Sequence, residues 1–338
     1  MVVNRVYGLT IEKPDGTVSA FLQSATSARI NFGLNMVSTL DLSFDASSAD
    51  GQAIYSTLAT TLPVVRLTRD GVTVFTGPLS ALDMSVGDSG DISATFTDWA
   101  GVLGSWSPYG AYKNQTVNTI LDGLLSLTRW PTLYSGLTRS GSVTSTATVS
   151  RGEQSNVFDE LSQAAAVAPF DWYVNHAADT LVIGSTLGTD RNGSILVGVG
   201  DVPGAPSIAN GQSARVTYQP PRNTVWAVTG KGKTYTSTGT ASVGAYGQSW
   251  EQVDAGNANA QAFANAKRRD LPRQIVEITT DPQLAPAWLT EYWLGDTISV
   301  SVASRALSLS GDYRVNNISV DLNESMTEVA NTLTFEVV

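Results

Sequence analysis

The sequence predicts a mainly β protein that carries a small α/β insertion and one further helix, in the order β, α/β, β. Three observations lead to this fold class. Apolar and polar residues alternate through most of the first hundred residues, with the period of two that half-buried strands require. From residue 114 the apolar spacing changes to the i, i+3, i+4 pattern of an amphipathic helix. After a stretch rich in Pro and Gly at 201–206, alternating runs resume and continue to the C-terminus.

Residues 1–100 are expected to form an N-terminal barrel-like β domain of short strands separated by turns. The strongest signal is Asp70-Gly71, which lies between the alternating runs 64–69 and 72–75. An Asp-Gly pair favours a tight hairpin because both central residues of such a turn need positive φ. A second turn at 87–90 separates two further alternating runs and completes a meander.

Residues 101–200 are expected to form the α/β insertion domain. A helix is predicted to begin after Asn114 or Thr116, either of which can cap it, and to end at Trp130-Pro131. Its apolar face consists of Val117, Ile120, Leu121, Leu124 and Leu125. A second helix is predicted from about residue 155 to Pro169, followed by strands at 170–174 and 181–183.

Residues 201–338 are expected to form a second barrel-like β domain. The Gly-, Ser- and Thr-rich stretch 230–247 is interpreted as a mobile hairpin or loop. An Ala-rich helix is predicted at 257–269, before Pro272, and strands are predicted after it. Because the alternation changes phase between Val315 and Ile318, a β-bulge is expected at Asn316-Asn317.

The composition excludes several classes of function. The chain has 338 residues, no cysteine and a single histidine, so disulfides, thiolate chemistry and Cys- or His-cluster metal sites are excluded. The net charge of −10 opposes binding to nucleic acid or anionic membranes by counterion release, and no sequence-specific nucleic acid binding is expected. No apolar run is long enough to span a membrane, and the N-terminus has no secretory signal pattern.

One segment, residues 227–234, resembles a phosphate-binding loop only superficially. Gly230-Lys231-Gly232-Lys233-Thr234 contains the Gly-Lys-Thr of such a loop, but Ala227 stands where the first glycine is required. The residues that follow, 235–239, do not have a helical pattern, so no helix N-terminus would face a phosphate. The segment is interpreted as a polar hairpin tip.

The remaining candidates for catalysis are ordinary in their sequence context. His176 follows the strand 170–174 in phase and precedes a turn, which favours a structural histidine. Three carboxylate pairs were considered for glycoside hydrolysis and are interpreted as turn, helix-terminus or surface residues: Asp88 and Asp91, Asp159 and Glu160, Glu324 and Glu328. No catalytic residue, metal ligand or cofactor is therefore predicted.

Aromatic residues concentrate in two places. Trp99, Trp106, Tyr109 and Tyr112 lie where the first β region meets the insertion, and Trp288, Tyr292 and Trp293 precede the strand at 298–302. Aromatic side chains at domain junctions are more typical of packing and subunit interfaces than of ligand binding. The interface candidates are Trp106, Tyr109, Tyr112, Trp288, Tyr292 and Trp293, and the second group is expected to present large rings from a rigid loop.

Motifs spread along the whole chain resemble those of one protein family. They are the early strand 34–44, the hairpin Arg69-Asp70-Gly71 with Phe75-Thr76-Gly77, the strand end Phe96-Thr97-Asp98-Trp99, the helix and strand of 158–174, the turn Leu294-Gly295-Asp296-Thr297-Ile298, and the closing strands from Tyr313. In their order and spacing they are similar to the tail-tip or baseplate hub proteins of tailed bacteriophages. They resemble in particular the minor tail proteins of long non-contractile-tailed phages that infect actinobacteria.

This resemblance implies an architecture, partners and a location. The family has two barrel-like β domains with α/β or helical insertions, and three copies form a ring that joins the sixfold tail tube to a threefold tip. The implied partners are two further copies of the chain, distal tail and tube proteins, the tape measure protein and other tip proteins. The protein would assemble in the host bacterial cytoplasm and reside in the virion. Some relatives carry a C-terminal enzymatic or receptor-binding extension; the sequence ends after the closing strand, so no enzymatic role is expected.

Three functions remain open at this stage. The first is a structural hub whose ring encloses the channel for the tape measure and DNA. The second is a module that binds host-surface carbohydrate through exposed rings such as Trp288 or Trp293. The third is a carboxylate-dependent glycoside hydrolase, which would need two carboxylates facing each other across a groove.

Overall fold

A computed structural model describes residues 5–13, 17–21, 25–61, 63–85, 90–106, 112–127, 134, 136–144, 146–149, 170–200, 208–256, 259–282, 288–304 and 308–337. Within these residues the protein is mainly β, as the sequence predicts. The helix predicted from about residue 155 to 169 and residues 87–89 of the predicted turn lie outside the described residues. No helix in the described ranges is both long and apolar enough to cross a membrane.

The described residues as far as Thr97 contain seven strands and one helix. Their bounds are β1 (Tyr7–Glu12), β2 (Val18–Phe21), β3 (Ser27–Gly33), β4 (Thr39–Asp45), α1 (Ala49–Thr61), β5 (Val64–Arg69), β6 (Val72–Met84) and β7 (Asp91–Thr97). The predicted hairpin is confirmed: β5 and β6 pair antiparallel, and Asp70 and Gly71 between them have φ of 51° and 80°. Helix α1 was not predicted. Ile54 and Leu58 bury one face of it, and the hydroxyl of Ser48 accepts a hydrogen bond from the Gly51 amide at its N-terminus.

The middle of the chain contains α2 (Trp99–Trp106), β8 (Tyr112–Thr116), α3 (Val117–Leu127), β9 (Thr138–Ser140), β10 (Thr146–Val149), β11 (Asp171–Asn175), β12 (Thr180–Gly184) and β13 (Leu196–Gly200). The predicted helix is α3, and all five residues of its predicted apolar face are buried. Of the two proposed caps, Thr116 accepts a hydrogen bond from the Thr119 amide, 3.2 Å away. Helix α2 was not predicted; Asp98 precedes it and accepts a hydrogen bond from the Gly101 amide.

The last part contains β14 (Ile208–Gln219), β15 (Thr224–Thr229), β16 (Thr234–Thr238), α4 (Thr240–Tyr246), β17 (Trp250–Gly256), α5 (Ala260–Lys267), β18 (Arg273–Thr280), β19 (Thr297–Ala303), β20 (Ser308–Asn323) and β21 (Glu328–Val337). The Ala-rich helix is confirmed as α5, capped by Asn259. A register shift between Val315 and Asn317 confirms the predicted bulge. The stretch 230–247 was interpreted as a mobile hairpin or loop. It contains the paired strand β16 and the helix α4, so it has more regular secondary structure than the sequence predicts.

Strand pairing joins the first and last parts of the chain. Among the described strands, thirteen form one sheet in the order β19-β13-β14-β18-β21-β20-β3-β4-β7-β6-β5-β1-β2. The pairing of β20 with β3 connects residues 317–323 to residues 27–33. Strand β19 also pairs with β20, so the pairings among β13, β14, β18, β21, β20 and β19 form a closed cycle. The division into domains 1–100, 101–200 and 201–338 stays a prediction.

The described residues form three hydrophobic cores. The largest packs residues of β1 and of β3 to β7 together with those of β18 to β21. A second is built from Val64 and residues 99–183 and belongs to the insertion. The third is small and lies between α5 and the three-stranded sheet β16-β15-β17, where Val225, Ala227, Ala255 and Phe263 are buried. The small sheet therefore has one face covered by α5.

Candidate interaction surfaces

A buried ionic cluster joins the N-terminal strands to β21. Glu328, with a side chain 3% exposed, lies 2.6 Å from Arg5 Nη1 and 3.2 Å from Arg69 Nε. The Tyr7 hydroxyl donates a hydrogen bond to the same carboxylate. Burial and the neighbouring Glu328 carboxylate raise the pKa of Tyr7 well above its ordinary value, so Tyr7 stays a neutral donor. This cluster binds elements more than 300 residues apart in the sequence, and its role is structural.

The aromatic segment 288–293 packs inward. Trp288 is 0% exposed and Tyr292 is 1% exposed, and both belong to the largest core. Arg69 donates a hydrogen bond to the Trp288 carbonyl at 2.8 Å, and its guanidinium lies 4.3 Å from the centre of the Trp288 ring. The expectation that this loop presents large rings is therefore wrong for Trp288 and Tyr292. Trp293 is half-buried, with its ring 5.2 Å from that of Phe32, and it stays an interface candidate.

The other aromatic group is only partly described. Tyr109 and the side chain of Trp106 lie outside the described residues. Tyr112 is half-buried and packs against the second core, close to Gly123, where an added Cβ would lie 2.2 Å from the tyrosine hydroxyl. Trp99 is fully buried and stacks on Tyr134 at 3.8 Å. Trp99 is thus a core residue, as is typical of aromatic side chains at domain junctions.

His176 is buried and neutral. Its Nδ1 accepts a hydrogen bond from the Thr76 amide at 3.2 Å, and its ring lies 5.1 Å from that of Phe75. Burial lowers the pKa of His176 to about 3, because the imidazolium would lose its hydration. Nε2 has no hydrogen-bond partner among the described residues, so the arrangement lacks the orienting carboxylate that a general base needs. These contacts favour the structural role predicted for this histidine.

The carboxylate pairs do not form a catalytic groove where the structure describes them. Glu328 belongs to the buried ionic cluster, and Glu324 is exposed in the turn before β21. Asp91 is exposed at the start of β7, whereas Asp88, Asp159 and Glu160 lie outside the described residues. In the part of the chain that the structure covers, no group of three or more acidic or histidine side chains could hold a metal ion.

Asp171 anchors the insertion to the large sheet. Its carboxylate pairs with Arg314 of β20 and accepts hydrogen bonds from the Asn35 side chain at 3.1 Å and the Leu187 amide at 2.9 Å. The Asn35 side chain in turn accepts a hydrogen bond from the Trp172 amide. This polar junction holds β11 against the turn between β3 and β4, so the insertion is tied to the large sheet by directed contacts.

An exposed pair of tryptophans lies on the small sheet and was missed by the sequence analysis. Trp226 of β15 and Trp250 of β17 are 36% and 62% exposed. Their rings stack with centroids 5.2 Å apart and planes inclined by 24°. The signal was present in the sequence, since Trp226 alternates with Val225 and Ala227, but the alternation alone does not say which face of a strand is covered.

A cavity of about 490 Å³ opens beside this sheet. Its walls include Thr238 at the end of β16, α4 from Thr240 to Tyr246, and the segment Arg268 to Leu271. Arg268 Nε lies 3.1 Å from Asp270 Oδ1, so the two charges neutralise each other. Tyr246 and Leu271 are 54% and 66% exposed at the cavity. The cavity is therefore lined by apolar and hydroxyl groups around a single ion pair, Arg268–Asp270.

Comparison with known proteins shows what this fold is similar to. No family model and no curated protein matches the sequence. A tail protein from Neisseria meningitidis MC58 superposes with a TM-score of 0.61 at 13% identity, over 98% of this chain and 96% of that one. The 43 kDa tail protein of prophage MuSo2 from Shewanella oneidensis gives 0.60 at 15% identity, over 98% and 97%. A Francisella PdpA–VgrG complex gives 0.53 at 8% identity, over 99% of this chain and 53% of that one. The chain therefore has the fold of phage tail proteins, as its sequence motifs predict.

Proposed function

We propose that this chain is a structural hub of a phage tail tip, an adaptor between the tail tube and the receptor-binding apparatus. The observation that carries the proposal is the likeness of fold over nearly the full length of two phage tail proteins. Likeness over one domain would be compatible with many functions, but here the superposition covers 98% of this chain and 96% and 97% of those two proteins.

The finer proposal is that three copies form a ring around a channel for the tape measure and DNA. The partners would be distal tail and tube proteins, the tape measure protein and other tip proteins, and the ring would assemble in the host cytoplasm before residing in the virion. The likeness to a chain of a PdpA–VgrG complex supports a role in a multi-component assembly. A net charge of −10 would favour a channel wall that repels DNA and lets it pass.

Light scattering on the purified full-length chain tests the ring. The mass is measured at several concentrations, alone and after addition of tail extract. A species of about three times 35.7 kDa in either condition supports the proposal. A monomer that ignores tail components at every concentration contradicts it. If the ring forms, its structure at side-chain resolution tests the channel, since a basic lumen would contradict the electrostatic argument.

Two of the remaining interface candidates, Tyr109 and Trp293, can be tested in the same assay. Tyr109→Ala and Trp293→Ala are compared with Met36→Ala, which removes an exposed apolar side chain at the turn between β3 and β4. Loss of the trimer in the first two variants but not in the third supports the assignment of these residues to the subunit contact. If all three variants retain the trimer, these two residues are not the contact.

A further inference from the structure

We propose that the unit formed by β15, β16, β17, α4 and α5 binds a neutral oligosaccharide. The binding surface would run from the stacked Trp226–Trp250 pair to the cavity lined by Arg268 and Asp270. This inference goes beyond the hub function, because it depends neither on a ring nor on a channel. It also differs from the carbohydrate site expected from the sequence, which used Trp288 and Trp293.

The exposed face of the small sheet follows from its strand register. Val225 and Ala227 point toward Phe263 and Ala264 of α5 and are buried, so Trp226 between them faces the other way. Thr224 on the same face is in register with Trp250 of β17 and with Thr238 of β16. The uncovered face therefore carries Trp226 and Trp250 together with threonines, Gln252 and Asp254, and its side chains other than Thr224 are mostly exposed.

The tryptophan pair and the cavity lie at opposite ends of one row of paired strand residues. The row Trp250, Thr224, Thr238 crosses the three strands, and Thr238 is also part of the cavity wall. Because neighbouring strands lie about 4.8 Å apart, this row spans about 10 Å. A ligand about 10 Å long could therefore contact both ends of the surface at once, with indole rings at one end and the cavity at the other.

The chemistry of the surface selects the class of ligand. Exposed aromatic faces bind ligands that have a flat apolar face, and a cavity of about 490 Å³ is large enough for a small molecule. The hydroxyls of Thr238 and Thr240 offer both hydrogen-bond donors and acceptors. Arg268 is paired with Asp270, so the described residues that line the cavity offer no unpaired cation for a phosphate or a nucleic acid. A sugar ring combines apolar C–H faces with many hydroxyls and carries no charge, which meets these conditions.

The cavity wall is held in place by a buried side chain. Asn223 is 0% exposed, and its amide donates hydrogen bonds to Ser242 Oγ at 3.2 Å and to the Gly247 carbonyl at 2.8 Å. Its oxygen accepts a hydrogen bond from the Ser249 amide at 2.9 Å, immediately before Trp250. One residue therefore positions both α4 and the start of β17. A site whose groups are ordered before the ligand arrives loses less entropy on binding.

Close backbone approach at Gly239 places Asp270. A Cβ added at Gly239 would lie 1.9 Å from Asp270 Oδ1, so any larger residue would displace that carboxylate. The Ser242 hydroxyl donates a hydrogen bond to the backbone carbonyl of Asp270, which fixes the backbone at this residue. The position of the Arg268–Asp270 pair in the cavity thus depends on a glycine, which provides a test that leaves the tryptophan pair untouched.

The test is direct binding by the full-length chain. Isothermal titration is carried out with a panel of soluble neutral oligosaccharides, namely fragments of galactan, arabinan, mannan and glucan, with a teichoic acid and a DNA oligonucleotide as anionic probes. Binding to at least one neutral member is expected. Trp250→Ala and Gly239→Ala should each weaken that binding at least tenfold, whereas Met36→Ala, at an exposed apolar position in the turn between β3 and β4, should leave it unchanged.

Three results would overturn the proposal. One is binding to no neutral member of the panel, and a second is a preference for the anionic probes. The third is saccharide binding that both cavity and tryptophan variants retain, which would place the sugar elsewhere.

Circular dichroism and thermal unfolding identify any variant that fails to fold, and Asp270→Asn then replaces Gly239→Ala. Light scattering on the same samples reports trimer formation, so failure of the saccharide site and failure of the hub proposal remain distinguishable.

Discussion

Two tryptophan-containing regions of the molecule have opposite environments. Trp288 is 0% exposed beneath Arg69 in the largest core, whereas Trp250 is 62% exposed on a small sheet. Both tryptophans lie in segments bounded by turn residues, so their local sequences do not distinguish them. The difference is that other elements pack over the first segment, while α5 covers only the opposite face of the small sheet. Aromatic content therefore indicates where packing or contact occurs, and only the covering element determines which of the two it is.

The largest expected effect tests this contrast directly. Trp288→Ala should lower the free energy of unfolding by about 3–5 kcal/mol, because it leaves a cavity in a packed core. Trp250→Ala should change that free energy by about 0.5 kcal/mol or less, because its ring is largely in water. Urea unfolding of the two variants measures both values. Equal losses in the two variants would contradict the assignment of one ring to the core and the other to the surface.

A second prediction concerns the ionic cluster beside Trp288. Glu328→Gln should cost about 3 kcal/mol or more, because Arg5 and Arg69 would then be buried without their counter-charge. The matched control is Asp321→Asn, which breaks an ion pair with Arg29, whose side chain is 58% exposed, and should cost about 1 kcal/mol or less. Chemical denaturation compares the two variants. A cost for Glu328→Gln no larger than that of the control would show that the cluster does not stabilise the fold.

A third prediction concerns the pH dependence of stability that arises from the buried His176. His176 has a folded pKa of about 3, below its ordinary value of 6.5, so the unfolded chain takes up the proton first. Its contribution to stability is present above pH 6.5 and is lost as the pH falls from 6.5 toward 3, by up to about 1.4 kcal/mol per pH unit. His176→Gln should reduce the slope of stability against pH in this window. Parallel slopes for the variant and the natural chain would mean that His176 is hydrated in the folded protein.

The smallest expected effect concerns Asp98, whose contribution to stability falls, rather than rises, with increasing pH. Burial raises the pKa of Asp98 to about 6, so the folded chain holds this proton more strongly than the unfolded chain does. The stability due to the protonated form is present below pH 3.8 and is lost as the pH rises from 3.8 to about 6. Asp98→Asn should remove that decline and retain an acceptor for the Ser38 amide. Thermal unfolding between pH 4 and 7 measures the change, and an unaltered profile would contradict the burial of this carboxyl.

Much of the fold could be predicted from local patterns. The hairpin at Asp70-Gly71, the apolar face of α3 and the bulge near Asn316 each depend on a few neighbouring residues, and each is confirmed. Helix α1 was missed because Ile54 and Leu58 are its only buried large apolar residues, and residues such as Gly51, Ser56 and Thr57 around them also occur in loops. Tertiary packing stabilises such a helix more than its own sequence does.

The candidate sites could be predicted from the sequence only in part. The exclusion of thiol chemistry follows from composition alone, and the alternation of Val225, Trp226 and Ala227 predicts that Trp226 lies opposite its neighbours. Tertiary structure decided which of those faces α5 covers, brought Arg5 and Arg69 to Glu328, and placed Asp270 beside Gly239. Patterns of period two or 3.6 describe one element relative to itself, whereas burial and charge pairing arise between residues far apart in the chain, so only the packed structure determines them.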